Sequence, residues 1–175
     1  MVILETKRLL FRRLEMSDLD DLYALYSDPE VRKYFPEGTL SREETKEELE
    51  WFLHGHPKNP ELGLWATILK ETGRFIGRCG LLLWMIDGQP EVEVAYMFAK
   101  EYWGQGLGTE AAQGIQDYAF DKLGYSRLIC LIDRDNQASI KVATNIGMRF
   151  EKEGMHDNGP FMLYSINRSS NSATM

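Results

Sequence analysis

The chain has 175 residues, 43 % of them hydrophobic and 27 % charged, which is enough apolar material to fill one substantial core and fits a single domain. Its formal net charge of -7 at pH 7 argues against binding nucleic acid by phosphate neutralisation and against an anionic membrane surface. It leaves room for a cationic substrate, or for a locally basic pocket holding a phosphorylated ligand.

The N-terminus MVILETKRLLFRRLE has no uninterrupted apolar stretch after a basic start, so no signal peptide is read. No apolar run is long enough to span a bilayer, and a cytoplasmic location is expected. A strand is expected over 9–14. Ser17 then opens a helix with Asp18, Asp20 and Asp21 at its positive end and Leu19, Leu22, Leu25 and Tyr26 at helical spacing. The run 41-SREE-44 is a capping box, which starts a second helix ending near Leu53. Two prolines and two glycines make 54–63 a loop.

Three strands follow, over 64–70, 74–86 and 91–98, joined by the turns 71-ETG-73 and 87-DGQP-90. In the last strand Val92, Val94 and Tyr96 alternate with Glu91, Glu93 and Ala95, the pattern of a half-buried strand. A helix is expected over 107–123, an apolar strand over 127–133, and a helix capped by 135-DNQAS-139 that stops at Gly147. Two short strands over 149–153 and 161–166 flank 156-HDNGP-160. The polar, small-residued segment 167–175 reads as a disordered tail, which leaves 1–166 as the domain. The fold class is α+β, with a mixed, mostly antiparallel sheet of about seven strands flanked by helices.

The stretch 103-WGQGLGTEAA-112 places three alternating glycines ahead of a helix. A Walker loop requires Lys-Ser/Thr after its last glycine, and here Thr109 and Glu110 stand instead. A dinucleotide fingerprint requires G-x-G-x-x-G, whereas Gly104, Gly106 and Gly108 give G-x-G-x-G behind three antiparallel strands. Two readings remain at this point. The turn holds the pyrophosphate of coenzyme A on free N–H groups at a helix start, or it only joins a strand to a helix.

The run 93-EVAYMFAKEYWGQGLGTEAAQGIQDYAF-120, followed by 128-LICLIDRDNQASIKVATNIGMRFEKEG-154, resembles the GCN5-related N-acetyltransferase superfamily. It is most similar to the branch of the ribosomal-protein N-terminal acetyltransferases, as is the opening 4-LETKRLLFRRLEMSDLDDLYALYSDPEV-31. The superfamily's Gln/Arg-x-x-Gly-x-Gly/Ala falls on 103-WGQGLG-108 and the branch's Asn-x-x-Ser on 136-NQAS-139. Position 103 departs from the wider pattern, with Trp for Gln or Arg, so phosphate holding there would rest on backbone N–H groups.

The resemblance implies direct transfer of an acetyl group from acetyl-CoA to a primary amine, on a protein N-terminus or a small molecule. No metal and no covalent intermediate are implied; a homodimer is compatible with the family. Three tasks follow: deprotonating the amine, stabilising the oxyanion, and protonating the departing thiolate. For the cofactor the resemblance implies backbone groups of Met97, Phe98 and Ala99 on the pantetheine arm. It places Trp103, Gly104, Gln105, Gly106, Leu107, Gly108 and Thr109 on the pyrophosphate. Asn136 would bond the arm across a split between the strands at 91–98 and 128–133; the alternative is helix capping, together with Asp135. Glu93 is the candidate general base, its pKa raised by an apolar site. The alternatives are an exposed strand carboxylate, ordered water as the base, or Glu91. Ser139 is the candidate acid and a cofactor contact, or merely a residue of the first helical turn. The tyrosine acid of other members lies a few residues past Ser139, where this chain has Val142, Ala143 and Thr144.

Cys79 and Cys130, each in an apolar run, read as buried reduced thiols. His54 and His56 have no third ligand at metal spacing. His156 borders the acceptor pocket in one reading. Trp51, Trp65 and Trp84 read as core, with Trp84 and Phe35 as alternative walls of an acceptor cleft. The acidic run 43-EETKEELE-50 reads as a solvated helix face or as an attractor of a cationic acceptor. The rival to an enzyme is a non-catalytic acyl-CoA sensor that keeps the cofactor site and lacks turnover.

Overall fold

Local chemistry sets most of the element boundaries in the computed structural model, which describes residues 1–156 and 159–169. In chain order the elements are β1 (Val2–Glu5), β2 (Leu9–Arg13), α1 (Leu19–Tyr26), α2 (Arg42–Phe52), β3 (Gly63–Leu69), β4 (Arg74–Ile86) and β5 (Gln89–Phe98). Then follow α3 (Leu107–Asp121), β6 (Arg127–Ile132), α4 (Gln137–Asn145), β7 (Arg149–His156) and β8 (Gly159–Asn167). The capping box of α2 is present in full, with Ser41 accepting from the Glu44 N–H and Glu44 accepting from the Ser41 N–H. Asp87 and Gly88 both have positive φ, 50° and 78°. That pair makes a two-residue type I′ turn whose twist suits a hairpin, so β5 begins at Gln89, two residues before the expected 91.

The strands form one sheet in the order β1-β2-β3-β4-β5-β6-β8-β7. All neighbours are antiparallel except β5 and β6, which are parallel. The sheet has eight strands where about seven were expected, because β1 is a four-residue edge strand too short to show a period. The first helix also starts later than Ser17. Met16–Asp18 is a 3-10 turn capped by Glu15, and the Asp18 carboxylate is drawn inward to the Glu15 N–H and to Arg12 at 2.8 Å. At the other end β8 runs to Asn167. Arg168 donates to the carbonyl of Phe120, so these two residues belong to the fold and not to the expected tail. Residues 170–175 lie outside the described residues.

Alternation divides the sheet between two helix layers. Val92, Val94 and Phe98 pack with α3 and α4 residues such as Leu107, Ile115 and Ala143. Ala95 and Met97, on the other face, pack with Leu22, Leu25, Leu49 and Phe52 of α1 and α2. Each buried Leu or Phe on these helices contributes roughly 1.5–3 kcal/mol relative to exposure, so the helices are held by their apolar stripes more than by propensity. Among the described residues no helix is long and apolar enough to cross a membrane.

Candidate active site

A parallel pair needs its ladder to be held along its length, and β5 and β6 keep theirs at one point only, Glu93 opposite Ile129. Beyond it the strands part. The Ala99 N–H bonds Ile76 of the chain entering β4. By the alternation of an antiparallel ladder, Met97 and Ala95 also turn their backbone groups to β4, while Val94, Tyr96 and Phe98 turn theirs into the gap. The expectation that Met97, Phe98 and Ala99 all present free groups is therefore revised to Tyr96 and the N–H of Phe98, whose carbonyl accepts from the Trp103 indole. The Val94 carbonyl is already taken by the Cys130 thiol at 3.3 Å. A cavity of about 1280 Å³ passes through the gap. One side is walled by Gly106, Thr109, Asn136 and Ser139, the other by Arg32, Phe35, Trp84 and Phe161.

At the first mouth the glycine turn has the geometry of an anion cradle. Gly104 and Gly106 both adopt φ 77°, a left-handed conformation that costs an L side chain about 1–2 kcal/mol. Gly108 is ordinary helix, its close neighbour being Val142 of α4. The N–H groups of Leu107, Gly108 and Thr109 open α3 and have no intrahelical acceptor. Arg8 fixes the turn by donating to the Gln105 carbonyl at 2.9 Å and to Glu110 at 2.7 Å. Glu110 also accepts from Thr6 and the Arg8 N–H, and these bonds hold its pKa below the usual value despite burial. The one acidic side chain of the first turn is thereby occupied, which leaves the positive helix end for a ligand. Trp103, the departure from the family pattern, donates its indole N–H to the Phe98 carbonyl at 2.8 Å. It ties the turn to the end of β5 instead of offering a charge. Free donors, left-handed glycines and a gap between strands fit a pyrophosphate with an extended arm.

At the parting point stands Glu93. Its Oε1 accepts from the Trp84 indole and its Oε2 from the Leu131 N–H, each at 2.9 Å. The side chain thus bridges β5 to β6 where the ladder stops. Burial pushes its pKa up to about 7, against the opposing pull of these two donors and of Arg78. Glu91, the alternative base, is held by Arg127 at 2.8 Å and lies outside the cavity wall.

Asn136 caps α4, accepting from the Ser139 N–H at 3.2 Å, while the Asp133 side chain, not Asp135, shapes the turn before it. Capping occupies the Asn136 oxygen, and the residue lines the cavity. The Ser139 carbonyl accepts from the Tyr96 hydroxyl at 3.1 Å across the gap. Its own hydroxyl has no partner among the described residues and lines the cavity. Val142, Ala143 and Thr144 supply no tyrosine, as read from the sequence. Tyr96 reaches the same place from β5.

Several residues were not foreseen. Arg78 interrupts the apolar run of β4 and is buried, its Nε donating to the Tyr26 hydroxyl at 2.8 Å. A lone arginine within FIGRCGLLLWMI was the available signal. Arg32 is buried beside it, and Glu48, from the acidic run, turns into the cavity wall while Glu43, Glu44, Glu47 and Glu50 stay in solvent. Trp51 is exposed, contrary to its reading as core, whereas Trp65 is buried. Trp84 and Phe35 both line the cavity. The thiols of Cys79 and Cys130 are buried, and desolvation raises both pKa values. His56 accepts from the Lys58 N–H, and no metal-binding cluster occurs among the described residues. The His156 side chain lies outside the described residues.

Residues 8–149 match the acetyltransferase (GNAT) domain. The chain is 36 % identical to the uncharacterised protein YkkB of Bacillus subtilis (strain 168), over 92 % of this chain and 93 % of that one. It is 31 % identical to the uncharacterised N-acetyltransferase p20 of Bacillus licheniformis, over 89 % and 85 %. A GNAT-family acetyltransferase from Bacillus anthracis has the same fold, with a TM-score of 0.78 at 27 % identity over 95 % of this chain and 98 % of that one. The chain belongs to the GNAT acetyltransferase family. It is an acetyl-CoA-dependent acetyltransferase of α+β fold.

Proposed function

We propose that the protein moves the acetyl group of acetyl-CoA directly onto a primary amine, in a ternary complex, with Glu93 as the general base. The observation that carries this is a half-buried carboxylate with a pKa near 7 at the point where β5 and β6 part, in the wall of a cavity lined by residues from both faces of the sheet. Acetyl-CoA supplies the activated thioester. The residues from Gly104 to Thr109 hold its phosphates. Phe98 and Tyr96 offer backbone groups, and Asn136 amide N–H groups, to the pantetheine arm. Glu93 takes the proton from the attacking amine, and the Ser139 hydroxyl donates a hydrogen bond to the departing sulfur. Tyr96 keeps Ser139 in place through its carbonyl. Cys130 is the thiol at the gap, and its raised pKa keeps it protonated, which supports transfer without an acetylated protein.

Initial rates of CoA release, measured over a grid of acetyl-CoA and amine concentrations, test the reading. Intersecting double-reciprocal lines support a ternary complex. Parallel lines, the signature of a covalent intermediate, would overturn it. Tight CoA binding with no turnover on peptides or small amines would instead leave a sensor.

A further inference from the structure

On the α1/α2 side of the cavity two arginines are buried together. Arg32 is 5 % exposed and Arg78 is 4 % exposed, and both line the cavity. Their guanidinium carbons lie 5.2 Å and 5.5 Å from the centre of the Tyr26 ring, and Arg32 stacks 4.2 Å from that of Phe35. Arg32 uses Nε on the Gly38 carbonyl at 2.8 Å, and its Nη2 is 3.9 Å from Glu37 on the rim. Arg78 uses Nε on Tyr26; its two Nη groups have no hydrogen-bond partner among the described residues.

Such pairs are costly. A buried cation needs a partner, and two together repel; burial first, and then Arg78, lowers the pKa of Arg32. Glu48 and Glu93 share the same wall; the Glu48 Oε2 is itself buried without a partner, and both Glu93 oxygens are taken by Trp84 and Leu131. Glu37 is exposed and at long range, so it compensates little. One fork of N–H donors, the two Nη groups of Arg78, is left facing the cavity. A planar guanidinium with its Nη groups free matches the oxygens of a carboxylate or phosphate.

We infer that the acceptor amine carries an anionic group, a carboxylate or phosphate, which Arg78 and Arg32 hold in the half of the cavity away from the glycine turn. This rests on the acetyltransferase reading above and names the substrate class. The sheet separates this pair from α3, so the cofactor phosphates belong to the other face. Arg78 pairs with Met97 and Glu93 with Leu82, four residues apart along β5. At about 3.4 Å per residue that is roughly 14 Å of strand, shortened by the reach of both side chains. The amine and the anion of the acceptor are accordingly several bonds apart, as in a short peptide or an aminoalkyl phosphate. A polyamine places a cation where the arginines stand.

The test compares matched acceptors by CoA release: a dipeptide and its C-terminal amide, an aminoalkyl phosphate and its parent amino alcohol, and spermidine. The expected result is a kcat/KM about ten- to a hundredfold higher for the anionic member of a pair, the size of a lost charge-assisted hydrogen bond. Which pair shows it identifies the anion as carboxylate or phosphate. Arg32→Gln should reduce that preference to near unity while the Kd for CoA stays unchanged. Arg78→Lys is the second variant, with a thermal melt to confirm folding. Equal rates within both pairs, or spermidine as the best acceptor, overturn the inference. Calorimetric titration of the CoA complex with the N-acetylated dipeptide and its amide provides an arm independent of turnover. If no acceptor reacts but the anionic product binds more tightly through Arg32, the anion site stands and the acetyltransferase reading falls. If product and amide bind alike, the anion site falls by itself.

Discussion

The Trp84→Phe variant tests the base assignment through a quantity the structure sets. The Trp84 indole donates one of two hydrogen bonds to the Glu93 carboxylate, and each favours the charged form. A hydrogen bond to a charged group is worth about 1.5 kcal/mol or more, and one pKa unit is about 1.4 kcal/mol, so its loss raises the Glu93 pKa by about one unit. In the wild type kcat/KM should rise with pH up to about 7, where burial places the Glu93 pKa, and then level. In Trp84→Phe the same limb moves about one unit alkaline, so the rate at pH 6 falls close to tenfold more than the rate at pH 9. The assay is CoA release across pH with two acceptors whose amines differ in pKa. The acceptor's own ionisation moves with the acceptor, whereas the Glu93 limb does not. Phe keeps most of the ring that Trp84 packs beside Ile86 and Ile129, and thermal melts verify this. A limb that stays in place in Trp84→Phe, or follows the acceptor's pKa in every case, refutes the assignment.

Glu93→Gln removes the titrating group and should lower kcat by about 10²–10⁴, the usual worth of a general base, and flatten the acidic limb; near wild-type kcat sinks the proposal. The same variant has a stability signature. Glu93 has a folded pKa raised from an ordinary 4.5 to about 7, so its contribution is intact below pH 4.5 and is lost as pH rises through 7, by up to about 3 kcal/mol. The melting temperature of Glu93→Gln relative to wild type should therefore climb between pH 5 and 8; a constant difference contradicts the buried carboxylate. Asn136→Ala deletes a helix cap, costing about 0.5–2 kcal/mol, and should also raise the KM for acetyl-CoA; a lower melting temperature with unchanged KM assigns Asn136 to capping alone. Gly106→Ala places a side chain at φ 77° and should weaken CoA binding together with stability, whereas an unaltered Kd in calorimetry would mean that the turn does not hold the cofactor.

Elements governed by neighbours in the chain were legible in the sequence. The capping box at Ser41, the turn at Asp87 and Gly88 and the alternation that aims Glu93 all depend on residues within a few positions, and they form as read. The glycine turn was legible for the same reason, because left-handed backbone at Gly104 and Gly106 leaves a glycine signature. What escaped was set by distant partners. Arg78 bonds Tyr26, 52 positions away, and nothing local to either residue announces the pair. Trp103 looked like a lost phosphate ligand until its indole was seen to bond the Phe98 carbonyl. Asn136 could be read as cap or ligand because both uses draw on one amide, and its oxygen does cap the helix. Trp51 misled because its apolar bulk suggested burial, while the helix phase turns it outward beside its exposed neighbour Glu50.

The most direct measurement follows the acetyl group itself. Acetyl-CoA labelled in its acetyl carbons is incubated with the protein and a primary amine, and both acceptor and protein are weighed by mass spectrometry after single and multiple turnovers. The account predicts label on the acceptor nitrogen in step with CoA release, with no labelled protein at any time. Label that first accumulates on the protein, or CoA bound tightly without any labelled amine, would contradict it.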